Sequence, residues 1–139
     1  VTKEAFLERF RSRGKDRFNG NDVEGIVLAN FEVLPDNTIR ANLSRDNHLR
    51  IIEALWDHHP PALFPQVQCP VLIMPARQKS DWTAAERDER RAKSLAVAES
   101  LLAASRTKWM EDSIHDVPIQ RPELVAGTIL EQIDGGFFG

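Results

Sequence analysis

The apolar positions of the first sixty residues recur mainly at the three- and four-residue spacing of amphipathic helices. We predict one helix over residues 3–13, a short one after Asp22, and a third over residues 45–59 with Ser44 as its N-cap. Between the last two helices, the turn residues Pro-Asp-Asn at 35–37 predict a small hairpin of two short extended pieces. This part of the chain is therefore predicted to be mostly helical.

A different pattern begins near residue 66. Residues 67–76 form an apolar run without alternation, which predicts a strand covered on both faces, as in a parallel sheet. The pattern then predicts a long helix over about residues 84–104, a second strand at 106–110 and a last helix at 123–133. This order of elements predicts an α/β unit in which a right-handed crossover joins two parallel strands.

Charge and composition narrow the function classes. The 139 residues carry 18 basic and 21 acidic side chains, mixed along the chain, so no cationic stripe suits a nucleic acid. No apolar run is long enough to cross a bilayer and no signal peptide is visible, so we expect a soluble, cytoplasmic protein without a membrane partner. The lone Cys69 is predicted to be a buried structural thiol. The charged segment at 86–93 is predicted to be a solvated helix face.

A metal site is one alternative that the sequence raises. His48, His58 and His59 lie in one region together with several carboxylates. His58 and His59 are adjacent and therefore diverge on a helix, and the chain has neither a Cys-x-x-Cys nor a His-x-x-x-His pair. We therefore predict no metal and no cofactor.

Two segments resemble a known family. Residues 64–76, "FPQVQCPVLIMPA", and residues 113–133, "SIHDVPIQRPELVAGTILEQI", are similar to the C-terminal half of α/β-hydrolase fold enzymes. The second match is the more specific one, because the family histidine is commonly followed seven positions later by Pro-Glu, as His115 is here. Ile114 replaces the glycine that usually precedes this histidine. The resemblance implies a hydrolase core segment at 64–139 and a mostly helical lid at 1–63.

The resemblance also implies roles for individual residues. His115 would be the general base that takes the proton of a serine nucleophile. At the usual position of the acid, the chain has Gln78 or Lys79, and Asp81 is the nearest carboxylate. Asp81 either orients the imidazole or only caps the following helix, and the acid could also lie on an earlier strand outside this chain. Asp116 is interpreted as a turn residue.

The nucleophile is missing from the sequence. The family carries it in a Gly-x-Ser-x-Gly elbow, and no such motif occurs here. Ser44, Ser80 and Ser113 lack flanking glycines and are interpreted as caps or turn residues. We expect the nucleophile in a segment that would precede Val1. The sheet would then be incomplete without an N-terminal half, supplied as a separate chain or replaced by a second copy, and the enzyme would act only when completed.

The substrate class is bounded by the predicted lid. Its large apolar residues suit a small apolar ester or a similar acyl compound, although most of them could simply pack the lid helices together. They are Phe6, Phe10, Phe31, Leu55 and Trp56, together with Phe64 at the start of the next segment. The chain has no tyrosine, which disfavours the epoxide hydrolases of the family. The alternative function is a non-catalytic interaction or scaffold protein derived from a hydrolase.

Overall fold

A computed structural model describes residues 1–14, 23–78 and 84–139. The chain contains two compact units, Val1–His58 and His59–Gly139. Together they contain helices, one antiparallel hairpin and short parallel strands, so the coarse prediction of an α/β chain with parallel pairing is confirmed. The functional division predicted after residue 63, between a lid and a core, stays a prediction.

The first unit contains three helices and a short hairpin. Its antiparallel strands pair Phe31 with Ala41 and Val33 with Ile39, which confirms the predicted hairpin. Its elements are α1 (Lys3–Gly14), α2 (Val23–Leu28), β1 (Phe31–Val33), β2 (Ile39–Ala41) and α3 (Arg45–Asp57).

The hairpin turn is held by its own polar side chains. The Asp36 carboxylate accepts hydrogen bonds from the backbone N–H and the hydroxyl of Thr38, at 3.0 and 2.7 Å. Asn37 has a φ of 62°, in the left-handed region that asparagine tolerates better than most residues. The backbone N–H of Lys3 donates to the Asn37 carbonyl at 3.0 Å, which ties the start of α1 to this turn.

Helix α3 has the predicted N-cap, because the Ser44 hydroxyl accepts from the Asn47 N–H at 3.2 Å. None of its side chains is buried. Leu49, Ile52 and Leu55 are exposed, and Trp56 is 89% exposed. The periodicity therefore predicted the helix correctly, while its apolar side chains remain open to solvent.

The second unit holds the parallel strands and the longer helices. It begins with two 3-10 turns, at Pro60–Ala62 and Phe64–Gln66. The elements that follow are β3 (Val71–Ile73), β4 (Ala76–Arg77), α4 (Ala84–Leu101), β5 (Ser105–Thr107), β6 (Met110–Glu111), α5 (Val117–Gln120) and α6 (Pro122–Asp134).

Strand β3 pairs in parallel with β5, and β4 pairs in parallel with β6. The two pairs continue one another, because the N–H of Lys108 donates to the Ile73 carbonyl and that of Met110 donates to the Pro75 carbonyl, both at 2.9 Å. Pro75 has no N–H to offer a ladder, which separates β3 from β4. Each predicted strand is thus present as two short pieces.

Three details differ from the sequence-based predictions. Helix α4 ends at Leu101 rather than near 104, and the Ala104 carbonyl already accepts from Val71 in the parallel ladder. Helix α5 lies in what was predicted as an open loop. Cys69 is exposed, so the prediction of a buried thiol is wrong. It precedes Pro70 and lies before the ladder begins, where the chain is still at the surface.

The second unit also contains most of the buried side chains of the described residues. They come from α4, β6, the loop after β6, α5 and α6, and they are Ala98, Met110, Ser113, Val117, Thr128 and Gln132. Helix α6 ends at the predicted glycines, with Gly136 at a φ of 67°. Within the described residues, no helix has both the length and the apolar character that a bilayer crossing requires.

Candidate functional site

The candidate site is the loop that follows β6 and carries His115. Ser113 is completely buried, and its N–H donates to the Arg77 carbonyl at 3.0 Å, which extends the parallel ladder past β4. Its hydroxyl donates to the Glu111 carbonyl at 3.0 Å. On the other side of the turn, the Ile114 N–H donates to the Gln120 side-chain oxygen at 2.8 Å. The backbone just before His115 is therefore held by the strand and by α5.

Arg121 closes the same loop from its far end. Its guanidinium donates to the Glu111 carbonyl at 2.7 Å and reaches the Ser113 hydroxyl at 3.5 Å. Because Arg121 immediately precedes α6, these contacts connect the start of that helix to the end of β6. The loop is short and fastened at both ends, which is the property needed to hold a functional side chain in place.

His115 itself projects into solvent, with 98% of its side chain exposed. Its Nδ1 lies 3.3 Å from an oxygen of the Asp116 carboxylate. The interpretation of Asp116 as a turn residue is therefore incomplete, since it precedes α5 without capping it and contacts the imidazole instead. Both side chains are exposed, so water screens this contact and it contributes little to stability.

The predicted acid lies outside the described residues, as do Lys79 and Ser80. Gln78 is described and is exposed. It borders a small cavity of about 120 Å³ that Ser113 and His115 also line. Among the described residues, the carboxylate in contact with the His115 ring is that of Asp116.

A larger groove opens beside His115, with a volume of about 590 Å³. We call it the arginine groove. The chain after β3 forms one wall, α4 forms the other, and His115 completes it. Its lining residues are Met74, Pro75, Ala76, Arg87, Arg90, Arg91, Ser94, Leu95 and His115. No carboxylate is among the described residues that line it.

Two acidic side chains of α4, those of Asp88 and Glu89, form ion pairs beside the groove. Asp88 approaches Arg77 at 3.2 Å, and Glu89 approaches Lys93 at 2.8 Å. Arg91 donates to the Ala76 carbonyl at 2.5 Å, which fastens α4 to the strand, and lies 4.0 Å from Asp88. Asp88 therefore lies between Arg77 and the groove residue Arg91, whereas Glu89 pairs with a lysine outside the groove.

The prediction of a solvated face for residues 86–93 describes Glu89 and Lys93 but misses the groove. Arg87, Arg90, Arg91 and Ser94 follow the i, i+3, i+4, i+7 spacing that brings side chains to one face of a helix. That spacing was the sequence feature from which a basic helix face could have been predicted. The sequence did not show that the chain after β3 would form the opposite wall.

The remaining candidates have structural roles where they are described. Ser44 caps α3, and Ser113 is buried in the loop, so the interpretation of these two serines as cap and turn residues agrees with their contacts. Phe6 packs against Phe31, with ring centroids 4.7 Å apart. Within residues 1–14, 23–78 and 84–139, no group of three or more His, Cys, Asp or Glu side chains is arranged to hold a metal ion.

An apolar groove of about 530 Å³ lies along the end of α3. Its lining residues are Ile51, Ala54, Leu55, Asp57 and His58, all in the first unit. Two of the residues predicted to form an apolar lid, Leu55 and Trp56, are therefore on an open surface of this helix.

Comparison of the chain with protein-family models, with curated proteins and with solved structures found no match.

Proposed function

We propose that this chain is the C-terminal portion of a serine-type α/β hydrolase that cleaves small esters or similar acyl compounds. His115 acts as the general base. The observation that carries the proposal is the position of this residue: an exposed imidazole on a short, fastened loop, directly after the carboxyl end of the second parallel strand. Catalytic side chains of α/β proteins are commonly located at this end of the sheet.

The chemistry requires an imidazole with one nitrogen oriented and the other free. A serine hydroxyl is a weak nucleophile at neutral pH, and a base within hydrogen-bond reach takes its proton during attack and returns it to the leaving group. Nδ1 of His115 faces Asp116, which leaves Nε2 for the serine. Either Asp116 or Asp81 orients the ring in the completed enzyme.

Among the described residues, β3 pairs with a strand on one edge only, which supports completion by another polypeptide. Val71 donates to Ala104 and Ile73 accepts from Lys108, so the backbone groups of these two residues face β5 and its extension. In a parallel strand alternate residues bond to opposite sides, so those of Leu72 and Met74 face the other edge. A third strand would fit there. We propose that it comes from a nucleophile-bearing N-terminal half, with a second copy as the other candidate.

The substrate assignment rests on the apolar side chains of residues 1–63. Leu55 and Trp56 are exposed on α3 and offer an apolar surface of the kind that a lid presents to an ester. A small apolar acyl compound is the substrate class that this composition supports best.

The first test is native mass spectrometry of the purified protein, followed by ester hydrolysis assays on any complex that it reveals. We expect a second polypeptide and hydrolysis of p-nitrophenyl butyrate. In that complex, His115→Ala should lower kcat by about 10²- to 10⁴-fold, the usual contribution of a general base. His48→Ala is the matched control, because His48 lies on α3 in the other unit. Full activity of the His115→Ala complex would exclude His115 as the base.

One observation favours a second function, that of a non-catalytic interaction protein. Helix α3 buries none of its side chains, and its exposed apolar residues surround a groove. Exposed apolar patches of this kind commonly mark contact surfaces. A complex that forms through α3, is broken by Trp56→Ser and hydrolyses no ester would favour this function over the enzyme.

A further inference from the structure

The arginine groove has no role in the proposed proton transfer. It lies within the second unit, between the chain after β3 and the first turns of α4, with His115 at its mouth. Its volume of about 590 Å³ lies within the range of small-molecule sites, which is roughly 300–1,000 Å³.

The charge of the groove is one-sided. Arg90 and Arg91 contribute guanidinium groups to its lining, and no described carboxylate does. Of the nearby acids on α4, Asp88 lies closer to Arg77, at 3.2 Å, than to Arg91, at 4.0 Å, and Glu89 approaches Lys93. Guanidinium groups bind carboxylate and phosphate oxygens through two parallel hydrogen bonds. The Ser94 hydroxyl on the same helix face donates to the Arg90 carbonyl at 3.1 Å, so the arginines are the donors available to a ligand.

The opposite wall has a different character. Met74 and Pro75 line it after β3. On the α4 wall, Leu95 adds an apolar side chain one turn beyond Arg91. A ligand that matches both walls has a compact anionic group and an apolar body. An extended polyanion does not match, because the chain carries a net charge of −3 and its basic residues are mixed with acidic ones.

We infer that the arginine groove is a binding site for a small molecule that carries an oxyanion, either a carboxylate or a phosphate group. The oxyanion lies against Arg90 and Arg91, and the apolar part lies toward Met74 and Leu95. A ligand bound in this groove lies next to the imidazole of His115, which is one of the lining residues. The inference concerns binding alone and stands whether or not the completed protein hydrolyses esters.

The test is a titration of the full chain with inorganic phosphate and, separately, with butyrate, at constant ionic strength. Binding is followed by calorimetry and by the ring signals of the histidines in ¹H–¹³C NMR spectra. We expect saturable binding that shifts the His115 signal and leaves those of His48 and His58 unchanged. Tighter binding of phosphate would identify a phosphate ligand, and tighter binding of butyrate a carboxylate ligand.

Arg90→Gln is the informative variant, because Arg91 also fastens α4 to Ala76 and its loss would disturb the fold. We expect Arg90→Gln to weaken binding about tenfold, equivalent to the loss of one charge-assisted hydrogen bond. Lys93→Gln is the matched control on the same helix, since Lys93 is paired with Glu89 and does not line the groove. No saturable shift of His115, or an equal loss of affinity in both variants, would overturn the inference.

Discussion

The two compact units differ in how deeply they bury their side chains. Among the described residues of Val1–His58, Leu7 and Val23 are the buried ones. In His59–Gly139 the buried residues come from three helices, a strand and the loop after that strand. The candidate catalytic histidine belongs to this second, better-buried unit, and its loop takes its position from that packing.

The difference follows from the way the strands pair. The hairpin of the first unit closes over a turn of a few residues, so it needs only local contacts. The parallel strands of the second unit pair Val71 with Ser105, and α4 lies between them in the chain. A parallel pair requires such a crossover, and the crossover helix buries part of its surface against the strands. The non-local parallel strands therefore accompany a core, whereas the local hairpin of the first unit does not require one.

The largest effect on stability is expected at the buried end of the second strand. Met110 is 2% exposed, and Met110→Ala should lower the free energy of unfolding by about 3 kcal/mol, through lost burial and the cavity left behind. Leu55→Ala on the exposed face of α3 should change it by less than about 0.5 kcal/mol. Urea denaturation of both variants tests the contrast. Equal losses in the free energy of unfolding for the two variants would mean that the two units do not differ in burial.

A smaller effect on the free energy of unfolding is expected for a substitution inside α6. The Gln132 side-chain oxygen, in a residue 2% exposed, accepts from Arg106 at 2.8 Å. Gln132→Met keeps the volume but removes the acceptor, which should cost about 1–3 kcal/mol. The matched change is Glu131→Gln, which removes an exposed contact with Lys108 and should cost less than about 1 kcal/mol.

Thermal or urea unfolding compares these two neighbours directly. A greater loss at Glu131 than at Gln132 would contradict the view that burial, rather than charge, decides the contribution of a polar contact in the second unit.

The smallest effect on stability is expected in the hairpin turn of the first unit, where it is measured through the pKa of Asp36. The Thr38 hydroxyl, followed by its backbone N–H, holds the pKa of the Asp36 carboxyl below its ordinary value of 3.8. Because the folded-state pKa is the lower one, the contribution of this turn to stability is complete above pH 3.8 and is lost as the pH falls through the folded-state value. Thr38→Val should raise the pKa of Asp36 part of the way toward 3.8.

A ¹³C NMR titration of the carboxyl groups measures this change. Thr107→Val is the control, since its hydroxyl contacts Glu99 in the second unit. An unchanged pKa in Thr38→Val would mean that the backbone N–H alone stabilises the turn.

The longer helices and the Ser44 cap were predictable because their signals are local, whereas the short α5 was not predicted. Ser44, the turn at 35–37 and the glycines after α6 each act within a few residues of the chain. Parallel pairing was also predictable, since an apolar run without alternation followed by a helix and another strand leaves few arrangements. The exposed position of Cys69 was missed, because the apolar run predicts a strand without showing that the ladder begins only after Pro70.

The candidate site was only partly predictable. His115 was found from its spacing to Pro122 and Glu123, yet its contact with Asp116 and the groove beside it were not. The acid predicted at position 81 lies outside the described residues, so its role stays a prediction. The groove was not predicted because its two walls are separated in the chain. Helical spacing shows that side chains share a face, but it does not show which segment packs opposite that face.

The sequence by itself determined the helices, the turn chemistry and the position of a histidine after the second strand. These depend on periodicity, caps and side chains that act over one or two turns of chain. Tertiary structure alone decided that Arg90 and Arg91 face the chain after β3, that Ser113 is buried in the ladder and that α3 keeps its apolar side chains in solvent. The physical reason is that burial and charge pairing depend on which distant segments meet, and that information is spread over the whole chain.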